Sequence, residues 1–153
     1  MDDNRINQLK EVLSENQGLC DTLSQAVKEM ALNDAKTVQK VRTNIALVLK
    51  KLNPARNDES VKLNLNWEVQ FSLVSIYNTN STAIFNKASH TIVISTAYWK
   101  RIAADERYEV ILHELVHSVQ YAFGEDCATA ACDAEAYAIS EYLLDKHLME
   151  VTQ

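Results

Sequence analysis

The spacing of hydrophobic residues between positions 4 and 52 predicts helices. Apolar residues recur there at about 3.6-residue intervals, as on amphipathic helices, in three successive stripes. Gly18 predicts a break between the first two helices, and Asn33-Asp34 predicts an N-cap for the third. Asn53-Pro54 should end that helix, because proline disfavours an α conformation in the residue before it. The stripes are Ile6, Leu9 and Leu13, then Leu19, Leu23, Val27 and Met30, then Val38, Val41, Ile45, Val48, Leu49 and Leu52.

The period changes to two from Val61 to Leu73, where apolar and polar residues alternate strictly. Such alternation predicts β structure with one buried face and one face toward solvent. A turn at 78–81 precedes two short predicted strands, 82–86 and 90–95. The second of these strands contains an uninterrupted β-branched run, which is typical of a covered inner strand.

Helical spacing returns after these strands and predicts three more helices. The first is short and covers 97–103. The second begins with Asp105 as its cap and ends at Gly124, a typical residue just past a helix end. The third begins with Glu125-Asp126, whose acidic side chains favour a helix N-terminus, and runs to about Leu148.

Together these elements predict an α+β fold in one domain of residues 1–153. We expect helical residues 1–53 to pack on a unit of residues 61–148 with a small mixed or antiparallel sheet and the last two helices. The composition, 47% hydrophobic and 24% charged, is ordinary for one globular domain with one core. The net charge of −6 gives a phosphate backbone no electrostatic support, so nucleic acid is not an expected partner.

The chain has no pattern for membrane insertion or export. It has no uninterrupted apolar run of about 18 residues, the length of a membrane span. No apolar segment of the signal-peptide kind follows Met1. We therefore expect a cytoplasmic protein with no membrane partner, although export without a cleaved leader would leave the same sequence.

The candidate chemistry lies in the helix predicted before Gly124, at His113-Glu114-Leu-Val-His117. Residues four apart share one face of a helix, so the two histidines can bind one metal ion. Glu114 can reach a water molecule on that metal and take its proton. The pattern H-E-x-x-H is the signature of zinc hydrolases. We expect one catalytic Zn²⁺, with His113 and His117 as ligands and Glu114 as the catalytic base.

A catalytic zinc site normally has a third protein ligand, and the last helix offers Glu135. This carboxylate lies in the middle of the predicted apolar face, whereas Asp133 is predicted to face the other side. A buried carboxylate needs a positively charged partner, which could be an arginine or the metal. We favour the metal, because the spacing and the helix face both agree with it.

The motif at His113–His117, with Glu135 eighteen positions after it, resembles that of the gluzincins, the thermolysin-like zinc metallopeptidases. The short chain is similar to the compact minigluzincin-type domains. The resemblance implies a zincin-like fold, zinc bound by both histidines and Glu135, and hydrolysis of a peptide or protein substrate. It also implies that substrate pairs with an edge strand. The strand residues concerned are Ala83, Ile84 and Phe85.

The sequence departs from the gluzincin pattern after Glu135, where no Ser-Asp pair follows. The residue that would stabilise the oxyanion is also open among several candidates. We predict a zinc metalloendopeptidase and keep two alternatives. One is a zincin-fold binding or regulatory module with little or no peptidase activity, and the other is a narrow-specificity protease toxin or effector. The oxyanion candidates are Tyr142, Tyr121, Tyr98, His90 and His147.

Cys127 and Cys132 flank the predicted ligand helix. With three cysteines, an odd number, the chain does not predict a disulfide framework. The two residues are either small buried side chains or thiolates that compete for the zinc.

Overall fold

The computed structural model describes residues 3–75 and 83–151, so the predicted turn at 78–81 and residue 82 lie outside it. No helix in the described ranges is long and apolar enough to cross a bilayer. Three helices come first and a short 3-10 helix follows: α1 (Asp3–Ser14), α2 (Gln17–Glu29), α3 (Ala35–Leu52) and Pro54–Asn57. The remaining elements are β1 (Gln70–Val74), β2 (Ala83–Asn86), β3 (Thr91–Ser95), α4 (Thr96–Arg101), α5 (Ala104–Ala122) and α6 (Ala130–Val151). This order confirms the predicted α+β class.

The N-terminal helices bury most of the predicted apolar stripes against the rest of the molecule. Helix α1 packs against α6, and α3 packs against α5. The predicted cap of α3 is confirmed, since the Asp34 side chain accepts a hydrogen bond from the Lys36 N–H at 3.0 Å. The break predicted at Gly18 occurs earlier, because Asn16 donates its side-chain N–H to the Val12 carbonyl at 2.8 Å and so completes the end of α1.

The sheet is mixed and has the strand order β1-β3-β2. Strand β1 runs parallel to β3, whereas β2 runs antiparallel to it, with Phe71 opposite Ile92 and Ile84 opposite Val93. The central position of β3 confirms its prediction as an inner strand, and Ile92 and Ile94 are fully buried there. Strand β2 therefore forms an edge of the sheet, beside α5.

The β structure predicted from Val61 begins only at β1. Residues 61–69 do alternate in burial, but the structure assigns them to no strand. Individual side chains hold this extended segment instead: Gln39 donates to the Leu65 carbonyl at 2.6 Å and Arg42 to the Trp67 carbonyl at 2.7 Å. The prediction of β structure for this segment was wrong. Alternation indicates an extended chain with one buried side, but it does not show whether the backbone hydrogen bonds go to a neighbouring strand or to side chains.

The helix boundaries around the motif agree only in part with the predictions. Gly124 follows α5 with φ +82°, which confirms its predicted place in the left-handed region. Asp105 lies in the first turn of α5 and is not its cap. Helix α6 begins at Ala130 and not at Glu125, because the Asp126 carboxylate accepts the Ala128 N–H at 3.0 Å and closes a turn there.

Two leucines of α3 provide a test of this packing. Leu49 is 0% exposed, whereas Leu47 on the same helix is 42% exposed. We expect Leu49→Ala to lower the free energy of unfolding by about 2–5 kcal/mol and Leu47→Ala to change it by less than about 0.5 kcal/mol. Urea unfolding followed by circular dichroism measures both, and equal losses would contradict the burial assigned to this helix.

Candidate metal centre

Helix α5 brings the two motif histidines together, as their spacing predicted. The Nε2 atoms of His113 and His117 are 3.1 Å apart. One side of the helix meets β2 and another meets α6, so the histidines lie where the edge strand and the last helix approach each other. Burial, and then the neighbouring His117, lower the pKa of His113 to about 3. His113 is therefore neutral at physiological pH, which is the form that binds metal.

Asp133, in the first turn of α6, completes a group of three side chains of the kinds that bind metal ions. Its Oδ1 lies 3.1 Å from His117 Nε2 and 3.9 Å from His113 Nε2. Ligand atoms of a tetrahedral zinc site with bonds of about 2.0–2.1 Å are separated by about 3.3–3.4 Å. The three observed separations scatter around that value, so the arrangement fits one zinc ion after small side-chain adjustments.

Glu135, the predicted third ligand, does not face the histidines. Its carboxylate accepts two hydrogen bonds from Arg56, at 2.6 and 2.8 Å, and a third from Gln120 at 3.0 Å. Both members of the Arg56–Glu135 ion pair are buried. The predicted placement of Glu135 beside the histidines is therefore corrected. Its partner is an arginine, the alternative that the sequence left open, and Asp133 lies where Glu135 was expected.

The apolar face of α6 does not identify the side that meets the histidines, because this helix is covered on more than one side. Buried alanines lie on either side of Glu135, at positions 134 and 136, and α6 contacts both α1 and α5. A carboxylate on such a helix can be inward-facing without facing the two histidines. Asp133, nearer the helix start, keeps 53% of its side chain exposed and points into the cleft.

Glu114 lies beside the group on α5 and is largely buried. Burial, and then the charge of Asp133, raise the pKa of its carboxyl to about 8, while a hydrogen bond from the Phe85 backbone N–H opposes the rise. A metal cation bound at the histidines would also act against the rise. A carboxyl group balanced in this way can both accept and donate a proton near neutral pH.

A cavity of about 550 Å³ opens over these residues. The three residues of β2 that were predicted to bind substrate, Ala83, Ile84 and Phe85, form one wall of it. Residues of α5 and α6 form the opposite wall. Its lining side chains are Ala83, Ile84, Phe85, Tyr98, Glu106, Glu109, Val110, His113, Glu114, His117, Tyr121, Cys127, Asp133 and Tyr137.

The cavity separates the five candidates for oxyanion stabilisation. Tyr98 and Tyr121 line it. Tyr137, which the sequence reasoning did not consider, also lines it, with its ring edge-on to His113 at a centroid distance of 4.4 Å. The remaining three of the five candidates do not line the cavity. Tyr142 accepts a hydrogen bond from Gln17, His90 stacks on Trp67, and His147 stacks on Tyr108.

The two cysteines near the site are thiols that form weak hydrogen bonds with oxygen atoms of the protein. Cys127 donates to the Gln120 side-chain oxygen at 3.5 Å and is 3.7 Å from the His117 carbonyl oxygen. Burial is the largest cause of a raised pKa at both Cys127 and Cys132. Their environment favours packing and weak hydrogen bonding over binding a metal as thiolates.

Gln120 is a further residue of the site that the sequence reasoning missed. It is fully buried one turn beyond His117, and its side-chain oxygen lies 2.8 Å from His117 Nδ1. The signal in the sequence was a polar residue three positions after the second motif histidine, on an otherwise apolar helix.

Comparisons of the chain with protein-family models, curated proteins and solved structures gave no match. The geometry of His113, Glu114, His117 and Asp133 in the cleft is therefore the basis for inferring a function.

The two carboxylates of α6 should differ in their effect on stability when no metal is present. Glu135→Ala leaves Arg56 buried with Glu125 as its remaining acidic partner. We expect a loss of about 3 kcal/mol, the lower end for breaking a buried ion pair. Asp133→Ala removes a half-exposed side chain and should leave stability nearly unchanged. Urea unfolding in the presence of EDTA measures both, and the reverse order would contradict their placement.

Proposed function

We propose that the protein is a zinc-dependent endopeptidase that holds its metal through His113, His117 and Asp133. The observation that carries the proposal is the convergence of these three ligand atoms, all within 4.8 Å of one another, beside the carboxyl group of Glu114. Two imidazoles and one carboxylate are a typical donor set for catalytic zinc, which keeps a coordination position for water or substrate. The exposure of this group to the cleft supports access by such a molecule.

The chain's own residues have distinct roles in this proposal. His113, His117 and Asp133 would hold the zinc, which when bound would supply Lewis acidity toward a carbonyl oxygen and toward water. Glu114 accepts the proton of the attacking water and passes it to the leaving amine. Its burial and its hydrogen bond from Phe85 support this role, because they hold the carboxyl group at the wall of the cleft.

An extended peptide is the substrate that the cleft suits best. Strand β2 is an edge strand, and an extended chain can add to such an edge through main-chain hydrogen bonds. Ile84, near the middle of β2, is 47% exposed and lines the cavity. The same strand contacts Glu114 through Phe85, so a peptide bound along β2 would pass close to the proposed base.

These features lead us to propose a zincin-like arrangement in which Asp133 takes the part that the gluzincin resemblance gave to Glu135. The edge strand, the motif helix and the following helix occur in the order that the resemblance implies. The third carboxylate differs in identity and in distance from the motif, since Asp133 follows His117 by sixteen positions.

Metal analysis tests the ligand set. We expect about one zinc per chain, with His113→Ala, His117→Ala and Asp133→Asn each weakening its binding, because the first two remove a donor atom and the third removes the negative charge of one. Asp145→Asn, the same substitution at an exposed position of α6 outside the cleft, should retain the metal, so it is the matched control. Plasma mass spectrometry after dialysis, followed by chelator competition, gives stoichiometry and affinity. Zinc bound as tightly by Asp133→Asn as by Asp145→Asn would refute the assignment.

Peptide cleavage tests the role of Glu114. Glu114→Gln should keep the zinc and the fold but lose at least about 100-fold in turnover, the contribution of general acid–base catalysis. Glu68→Gln, the same substitution at an exposed position outside the cleft, should behave like the unaltered protein. Cleavage of a peptide library, read by mass spectrometry, makes the comparison. A zinc-loaded protein that cleaves nothing would instead support the binding-module alternative.

A further inference from the structure

Gln120 has every polar atom of its side chain hydrogen-bonded inside the protein. Its oxygen lies 2.8 Å from His117 Nδ1. Its nitrogen donates to the Cys132 carbonyl and to a Glu135 carboxylate oxygen, both at 3.0 Å. The residue therefore links the second motif histidine to helix α6 and to the buried ion pair.

These contacts determine which way the Gln120 amide points. The Cys132 carbonyl and the Glu135 carboxylate can only accept hydrogen bonds, so the NH₂ group must face them. The amide oxygen is then left toward His117, and it too can only accept. His117 must consequently carry its hydrogen on Nδ1, and in the neutral ring the lone pair is on Nε2. That atom faces His113 and lies 3.1 Å from an Asp133 carboxylate oxygen, a contact that requires a second ring proton or a metal cation between the two atoms.

The far end of this chain of contacts is anchored outside α5 and α6. Arg56, in the 3-10 helix after α3, binds Glu135 through two hydrogen bonds and donates a third to the Leu49 carbonyl at 2.9 Å. Its guanidinium also pairs with Glu125, with two contacts of 2.7 Å. A continuous series of hydrogen bonds thus runs from Arg56 through Glu135 and Gln120 to His117.

We infer that Gln120 is a positioning residue that sets the tautomer and ring orientation of His117 for metal binding, and that Glu135 and Arg56 hold Gln120 in place. The metal part of this inference rests on the proposed function. Without the amide oxygen, His117 can place its hydrogen on Nε2, where it blocks the lone pair that a metal needs. Losing such an outer partner of a histidine ligand typically costs about 10–100-fold in metal affinity.

The inference also gives Glu135 a new role. This carboxylate acts on the site through Gln120 and does not touch the metal. It connects the site to the N-terminal helical region, because Arg56 follows directly on α3. The N-terminal region therefore contributes to the metal centre through Arg56 in the 3-10 helix that follows α3, although none of the proposed ligands lies in that region.

The test compares Gln120→Met, which has a similar size but cannot accept the hydrogen bond, with Gln39→Met. Gln39 is a helix glutamine that bonds Leu65 and Arg42 away from the site. Two readouts are used: zinc affinity by chelator competition, and the position of the ring hydrogens of His117 by ¹⁵N NMR of the metal-free protein. We expect Gln120→Met to weaken zinc binding by about 10–100-fold and to lose the fixed hydrogen on Nδ1. Gln39→Met should change neither.

The unaltered protein gives a readout that does not depend on the folding of a variant. In its metal-free form the His117 ring should carry a hydrogen on Nδ1, where the Gln120 oxygen accepts it. A ¹⁵N spectrum that places a hydrogen on Nδ1 supports the inference, including the case in which Gln120→Met does not fold. A ring that carries its hydrogen on Nε2 alone would overturn it.

Two results would overturn the inference while leaving the proposed function intact. They are unchanged zinc affinity and an unchanged Nδ1–H tautomer in folded Gln120→Met. If the unaltered protein binds no zinc, the proposed function fails instead. The tautomer of His117 in the metal-free protein then still decides whether Gln120 sets it.

Discussion

A buried arginine joins three separate parts of this chain. Arg56 lies in the 3-10 helix that follows α3, Glu125 lies in the loop before α6, and Glu135 lies within α6. Removing a guanidinium and a carboxylate from water is costly, and close, multiple hydrogen bonds are needed to offset that cost. The contacts of 2.6 to 2.8 Å between Arg56 and the two glutamates provide them. The relative placement of α3, α5 and α6 depends on keeping this group satisfied.

The same ion pair decides which carboxylate of α6 faces the motif histidines. Glu135 is fully occupied by Arg56 and Gln120 in a water-excluded position. Asp133, two residues earlier, is half exposed at the cleft, where its oxygen lies beside His117 Nε2. Two carboxylates so close in sequence thus have different tasks, because their surroundings differ. One stabilises the packing behind the site, and the other is available to a cation in front of it.

Local patterns predicted much of the fold and the centre of the site. Helical periodicity, the cap at Asp34, the glycine at the end of α5 and the two histidines four apart all depend on neighbours within a few residues. The identity of the third carboxylate does not. The third carboxylate is decided by Arg56, which binds Glu135 although the two residues are 79 positions apart in the sequence. A helix wheel can predict that Glu135 is buried, but it cannot predict which residue binds it. The extended segment of residues 61–69 was mispredicted for a similar reason, since its hydrogen-bond partners lie on distant helices.

The central claim is that His113, His117 and Asp133 hold one zinc ion while Glu135 stays with Arg56. A crystal of the zinc-loaded protein, measured on both sides of the zinc absorption edge, tests it most directly. The account predicts one anomalous peak at about 2.0–2.2 Å from both Nε2 atoms and an oxygen of Asp133, with the Arg56–Glu135 contacts unchanged. A peak bonded to Glu135, or no peak at the histidines in a zinc-saturated crystal, would contradict it.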